Sequence, residues 1–494
     1  MATLSTVNKK EGAAPAQQQI SGIDKFFHIS ERGSSIRAEI RGGLVTFFAM
    51  AYILVVNPSI LIAAAGAGGA EGVSVASIAA GTALVGGVMT ILMGVVGRFP
   101  MALAAGMGLN AMVSYTLVLG PFGLSYGEAM GLIFWEGVLI TLLVVTGFRE
   151  AVFKAVPVQL KVAISVGIGL FIALVGLINA GVIRAGGTPV QLGINGSFKG
   201  WPMLIFLVGL IVTIVLYMRH VKAAILIGIA VSSVLAVIVQ AVAHIPLMTD
   251  ETGAAVNPTG WTKNVPALDG SPIQIPDFAT FGQIDFFGAF QKLPVVSVLL
   301  LIFSLMLADF FDTMGTMVGV AQAGDLMDKD GNIPHTTEIL LIDSLAAVAG
   351  GLGGVSSNTS YVESTSGVGA GARTGLSSVV VGVCFLLSMF FAPVVELVPA
   401  EAASTALVFV GFLMMTQVAE VKWNDPENAI PAFLAIAMMP FAYSITAGIG
   451  FGCIAFVLVK LARGKVRDIH PLMWVVAILF LIYFSLEPLQ ALFG

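Results

Sequence analysis

Apolar residues in this chain come in runs close to the length of a membrane-crossing helix, and the runs recur from end to end. They fall at 44–63, 74–97, 101–119, 125–147, 160–180, 202–218 and 222–242, and resume at 294–320, 337–354, 356–371, 375–397, 402–418, 430–446, 448–463 and 471–487. A bilayer core of about 30 Å needs about 20 helical residues, so most runs can span, which predicts about fourteen crossings. Composition agrees: 57% of residues are hydrophobic and 10% charged, against about 25% charged in a soluble globule. The chain reads as an all-α polytopic membrane protein.

The 244–292 interval holds Pro246, Pro258, Pro266, Pro272 and Pro276 and is the one long loop. It divides the chain into an N-terminal segment (1–40), a first set of seven spans (41–243), the loop, and a second set of seven (293–494). The first 40 or so residues lack an apolar core with a cleavage site, so no signal peptide is expected. Basic residues set the orientation, because the side rich in Lys and Arg is cytoplasmic. Lys25, Arg32, Arg37 and Arg41 precede the first span, Arg149, Lys154 and Lys161 follow the fourth, and Arg219 and Lys222 follow the sixth. The N-terminus is therefore expected inside a cell (inner) membrane and the long loop outside. Lys329, Lys422, Lys460, Arg463, Lys465 and Arg467 fall inside again. Sets of seven must be inverted, and an inverted repeat places a substrate near midplane, where broken helices meet. The run at 471–487 exceeds this arithmetic. Either the region around 446–463 turns back, or the last run is an extra or interfacial segment.

Acidic residues inside the spans are the main functional signal. The run 294–320 carries Asp309 and Asp312, three residues apart and so on one side of a helix. Glu363 lies in the polar strip VSSNTSYVESTSGVGAGA, and Glu136 in LIFWEGVLI. A carboxylate at bilayer depth costs several kcal/mol, so it is kept mainly to line a pathway, carry a proton or bind a ligand. Glu136 reads equally as a proton relay or a satisfied interhelical contact.

The third segment of each half is Gly-rich and too broken for a full helix: GRFPMALAAGMGLNAM at 97–112 and GGLGGVSSNTSYVESTSGVGAGA at 350–372. Each predicts a short extended piece followed by a half-helix whose free N–H groups carry about half a positive charge toward a ligand. Open backbone is tolerated at that depth only where it faces protein or a wet cavity, so the two segments should build the site. Asn110 can serve there as a ligand or as a helix cap.

Several separated motifs resemble the AzgA-like purine permeases, a group of nucleobase transporters sharing the uracil-permease fold. They are TFFAMAYILVVNPSIL (46–61), GMGLNA (106–111), DFFDTMGTMVGVA (309–321), SYVESTSGV (360–368), ARTGLSSVVVG (372–382) and VGFLMM (410–415), in the family's order from about residue 20 to 485. The resemblance implies fourteen helices in two inverted sevens, a core and a gate domain, and proton-coupled uptake of purines. It carries the substrate and coupling roles onto Asn110, Asp309, Asp312 and Glu363. The chain departs from the family at Ala105, where Pro is usual, and at Ser356, Ser357, Asn358, Thr359 and Ser360, where a Thr/Val run is usual. An amide at Asn358 brings a donor and an acceptor, which would broaden recognition to uracil.

The chemistry of a neutral purine asks for the same groups. Its N–H donors need acceptors, which Asp309 and Glu363 supply. Its acceptors need donors, which the backbone after Gly106 and Asn358 and the Asn110 amide supply, with Thr359 and Ser360 beside them. Glu363, Asp309, Asp312 and Glu136 are the groups that could carry a coupling proton. Ser, Thr and Asp near Asp309 leave a sodium-coupled carrier open. An intramembrane aspartyl hydrolase would also pair acids within spans, but it needs no inverted repeat. A channel would want rings of charge or carbonyls. An anion carrier of the sulfate-permease kind would want a basic residue at the site, and the one nearby is Arg373.

Other residue types add little. Cys384 and Cys453 lie within apolar runs as packing residues. His28, His220, His244, His335 and His470 sit at or beyond span ends without metal-ligand spacing, so neither metal nor cofactor is expected. No basic cluster interleaved with aromatics points to nucleic acid. The expected partners are a small nucleobase, protons and the lipid bilayer; a homodimer is compatible with the sequence but not specified by it.

Overall fold

The computed structural model describes residues 22–147, 156–185, 188–249, 256–267, 271–328 and 333–485. Arg149, Lys154 and Lys329, three of the residues used for orientation, lie outside the described residues, as do 1–21 of the N-terminal segment and 486–487 of the last apolar run.

Helices start where small polar residues can cap them. Ser35 accepts a hydrogen bond from Ala38 N and opens α1 (Ile36–Met50), which is followed by α2 (Ile53–Ala67). The two form one 32-residue span broken at Ala51 and Tyr52, longer than the apolar run 44–63 suggested. Reciprocal Ser74 and Ser77 hydrogen bonds start α3 (Val75–Leu92), which continues as a π-helical turn to Gly97. Next come β1 (Leu103–Ala105), α4 (Met107–Ala111) with its π-helical extension to Val118, and α5 (Tyr126–Val145), capped by Ser125 and Glu128. Three further helices complete the first set: α6 (Val158–Asn179), α7 (Trp201–Met218) and α8 (Ala224–Ala243).

The second set repeats the order with α9 (Val295–Ala323), α10 (Thr336–Leu352), β2 (Asn358–Ser360) leading into α11 (Ser364–Gly369), and α12 (Gly375–Ser388). It ends with α13 (Ala400–Met415), α14 (Pro426–Phe441) and α15 (Ile445–Ala462). Among the described residues, ten helical stretches are long and apolar enough to cross a membrane. The two broken segments and the shorter α10 and α14 bring the crossings to fourteen, in two inverted sevens. The apolar run 430–446 straddles a boundary: Asp425 caps α14, and the chain turns before Ser444 caps α15. The ambiguity at the C-terminus resolves with α15 as an unbroken helix. The last run forms α16 (Pro471–Phe484), too short to count as a full crossing, with Phe484 packed on Phe451 of α15.

Glycine allows the two repeats to touch backbone to backbone, as small residues do in membrane helix pairs. Helices α3 and α12 cross at Gly87 and Gly382, where a Cβ on Gly382 would stand 2.5 Å from Gly87 O. Helices α6 and α13 cross at Gly169 and Gly411, where a Cβ on Gly411 would stand 2.5 Å from Gly169 O. The first crossing belongs to the core domain, built from the first four positions of each repeat. The second belongs to the gate domain, built from the last three.

The long loop packs onto both domains. Trp261 is fully buried, and its indole N–H donates to Gln240 of α8 at 2.8 Å. Thr262 donates to Glu401 of α13 through its backbone N–H and its hydroxyl, both at 2.9 Å. Lys263 then reaches the core, donating to Ser59 O at 3.2 Å and to the Tyr115 hydroxyl at 3.4 Å. This end of the core–gate seam is further filled by Tyr115, Tyr443 and Phe171, whose rings meet edge to face.

The crossing at Gly87 and Gly382 predicts a steep packing penalty. Gly382→Val should destabilise the protein by at least about 1–3 kcal/mol through overpacking, lowering the thermal unfolding midpoint of the purified protein. Gly66→Ala, where a Cβ meets nothing within 4 Å, should leave it unchanged. Equal midpoints for the two variants would contradict the close crossing.

Candidate functional site

Two short strands pair at the centre of the core. Strands β1 and β2 are antiparallel, with Leu103 opposite Ser360, Ala104 opposite Thr359 and Ala105 opposite Asn358. Backbone hydrogen bonds extend the pairing at both ends, from Gly106 N to Ser357 O and from Tyr361 N to Ala102 O, both at 2.9 Å. Side chains satisfy much of what remains. The Thr90 hydroxyl accepts from Leu103 N and donates to Leu103 O, Ser364 Oγ accepts from Ala102 N, and Ser378 Oγ donates to Phe99 O and Met101 O. Non-helical backbone is thereby paired within the protein, as its depth requires.

Where the strands give way to α4 and α11, a cavity of about 100 Å³ opens toward the gate. Its core side is formed by Tyr52, the first turn of α4 from Gly106 to Leu109, Asp312, and Ser360 to Glu363. Its gate side is mostly apolar, with Ile168 from α6 and Val410 and Met414 from α13. Tyr52 occupies the break between α1 and α2, and its hydroxyl donates to Glu363 Oε1 at 2.5 Å. The Tyr361 hydroxyl donates to Ala105 O at 2.6 Å, so this ring also stands fixed in the wall. Tyr361 lies in a motif quoted above, and Tyr52 is the only tyrosine in the first apolar run.

The expected site residues separate into two layers. Gly106, Ser360, Glu363 and Asp312 line the cavity. Asn110, Asp309, Glu136, Asn358 and Thr359 are buried and do not. Three-residue spacing puts Asp309 and Asp312 on one side of α9, yet Asp312 opens to the cavity whereas Asp309 is fully buried. Asn358 donates its amide to Ser356 O at 3.4 Å and lies beside Gly350 of α10.

The buried layer contains a further acid, Asp343 of α10, which accepts from the hydroxyls of Thr313 and Ser360, each at 2.7 Å. Thr359 and Thr313 hydroxyls stand 2.8 Å apart, joining β2 to α9. Glu136 and Asp309 face one another beside these groups. Among the described residues, no hydrogen-bond partner and no cation stands at the four carboxyl oxygens of this pair. Thr359 and Ser360 thereby tie β2 to its neighbours, and of the run 356–360 Ser360 alone also reaches the cavity. Asp343 carries the same sequence signal as Glu136, an acid in the interior of an apolar run.

Comparisons with known proteins agree with this architecture. The model of the permease family Xan_ur_permease matches residues 37–451. The chain is 36% identical to the adenine permease AdeP of Escherichia coli (strain K12), an alignment covering 93% of this chain and 95% of the relative. It is 39% identical to the guanine/hypoxanthine permease PbuG of Bacillus subtilis (strain 168), covering 93% and 98%. Among solved structures it is similar to the transmembrane domain of the cyanobacterial bicarbonate transporter BicA, with a TM-score of 0.59 at 13% identity over 83% of this chain and 97% of that one. It is also similar to SLC26A9, with a TM-score of 0.56 at 12% identity over 92% of this chain and 73% of that one. These structural likenesses show the fold, and the relatives are permeases, which removes the hydrolase alternative. The chain therefore belongs to the Xan_ur_permease family, as the AzgA-like motifs imply, and is a permease rather than an enzyme.

Proposed function

We propose that this permease imports purine nucleobases of the adenine, guanine and hypoxanthine class by proton symport, through alternating access of the cavity to the two sides of the membrane. The observation that carries this reading is the cavity itself. Carboxylates of Glu363 and Asp312 face the first turn of α4 across a space closed by apolar gate side chains. A flat heterocycle with N–H donors on one edge and acceptors on another fits those walls. The relatives named as adenine and guanine/hypoxanthine permeases support the substrate class.

In this reading Gly106, Ser360 and Glu363 contact the base. Asn110, Asn358 and Thr359 hold the two half-helix starts in place from behind. Glu363 and Asp312 exchange protons with the cavity, while Asp309 and Glu136 form a buried acidic pair with Asp343 beside it. Two facing carboxyls with no cation between them repel unless a proton is shared, which suits them to carry one. The N-terminus is cytoplasmic, the 244–292 loop is extracytoplasmic, and the repeats at 41–243 and 293–494 lie on either side of it. Lys460, Lys465 and Arg463 gather on Glu427 at 2.9, 2.6 and 3.4 Å, which places four charges at one end of the gate, on the side assigned to the cytoplasm.

The test is uptake of a radiolabelled purine competed with adenine, guanine, hypoxanthine, xanthine and uracil. The purines should compete, and absence of competition by all of them would remove the assignment. Glu363→Gln and Asp309→Asn should each abolish concentrative uptake while the protein still reaches the membrane. Normal accumulation in both would sink the site.

Coupling has its own test. Accumulation should rise as external pH is lowered and collapse when a protonophore is added. Accumulation that requires sodium and ignores a pH gradient would reverse the coupling ion and leave the purine site standing.

Asp343→Asn leaves one carboxamide oxygen where two carboxyl oxygens accept from the Thr313 and Ser360 hydroxyls. A buried hydroxyl left without its acceptor costs about 1–3 kcal/mol, so uptake should fall about 5- to 100-fold at unchanged membrane abundance. Uptake within twofold of the parent would show that Asp343 does not hold the site.

A further inference from the structure

We infer that Tyr52 makes Glu363 a one-oxygen acceptor, so that the cavity reads a single N–H on the purine edge presented to it. The inference rests on the purine reading above and adds how the site ranks guanine against hypoxanthine.

Tyr52 stands where the first span is interrupted, with α1 ending at Met50 and α2 beginning at Ile53. Its peptide is held by the helix that follows, since Val55 N and Val56 N donate to Tyr52 O at 3.0 and 2.9 Å. The side chain has no solvent-exposed surface, yet it forms part of the cavity wall, with its hydroxyl on Glu363 Oε1. Among the described residues it is the one side chain that donates to Glu363. Two neighbouring hydroxyls are engaged elsewhere: Tyr361 donates to Ala105 O and Ser360 donates to Asp343. Tyr52 therefore occupies one of the two acceptor sites of Oε1 and hinders approach to it, which leaves Oε2 as the freer oxygen for a substrate donor.

This arrangement distinguishes bases by the number of adjacent donors. Guanine presents N1–H beside an N2–H, a parallel pair that matches the two oxygens of a free carboxylate. Hypoxanthine presents N1–H beside a C–H. With Oε1 taken, the second donor of guanine gains no partner on Glu363, and a buried donor left unpaired loses what the extra hydrogen bond would have contributed. Guanine should then bind no more tightly than hypoxanthine. Tyr52 is a positioning residue for this selectivity, acting through Glu363.

The experiment measures inhibition constants of guanine and hypoxanthine against uptake of a labelled purine by the full-length chain and by Tyr52→Phe, which keeps the ring and frees Oε1. In the parent guanine should compete no better than hypoxanthine. In Tyr52→Phe their ratio should move about tenfold toward guanine, a shift that simple loss of structure would not produce because it weakens both bases together. An unchanged ratio in Tyr52→Phe, with both bases still competing, overturns the inference and leaves the purine reading intact. Should the variant not reach the membrane, the parent decides, because a tenfold preference for guanine in the unmodified chain also overturns it. A carrier that takes adenine and refuses both oxopurines overturns it as well, since the edge read would not be the N1–H edge. If no purine competes, the purine reading falls first and this inference with it.

Discussion

The antiparallel pairing of β1 with β2 is the interaction on which the rest of the structure depends. Two stretches of extended backbone meet inside the core at membrane depth, where an unpaired N–H or C=O costs several kcal/mol. Three residues from each repeat satisfy one another, and Thr90, Ser364 and Ser378 take up neighbouring groups. Because the pair is formed by one segment from each half, neither half can complete its own broken helix. The inverted repeat thus appears in the site as a physical requirement. Each strand ends where a short helix begins, so the first turns of α4 and α11 come together at the cavity.

From that junction the acids sort by side. Residues after the strands face the gate, which places Glu363 on the cavity, while Asn358 and Thr359 of β2 face the surrounding core and Ser360 touches both. Thr359 and Ser360 reach Thr313 and Asp343 in this way, and the buried layer of Glu136, Asp309 and Asp343 is separated from the substrate space by a strand. A hydroxyl chain connects the layers, from Ser360 on the cavity wall to Asp343, then Thr313 and Thr359. Such a layout lets a charge change behind the strand act on the groups that touch a ligand without direct contact. At the other end of the core–gate seam, Lys263 and the Tyr115, Tyr443 and Phe171 rings join the two domains.

Much of this was legible because membrane segments are constrained so tightly. Length and apolarity located the crossings, glycine density located the broken third segments, and isolated charges located Asp309, Asp312, Glu363 and Glu136. What escaped was what depends on direction. A spacing of three puts Asp309 and Asp312 on one side of a helix, but only the packed strand beside them decides that one is sealed and the other open. Asn358 departs from the family pattern and drew a base-reading role, yet a strand alternates its side chains, and this one turns toward Gly350. Tyr52 carried no charge to mark it, and its role exists only because the first span breaks at that residue. The boundary between α14 and α15 was misplaced because apolar composition continues through the turn that Ser444 ends.

The central claim is that the cavity between the broken helices and the gate is the substrate site, with Glu363 at its centre. An experimental structure of the full-length protein with a bound purine tests it most directly. The base should lie between the Met107–Leu109 turn and Glu363, with a ring or exocyclic N–H within hydrogen-bond distance of the Glu363 carboxylate and no contact to Asp309, Glu136 or Asp343. A purine bound outside this cavity, or seated directly on Asp309 behind the strand, would contradict the account.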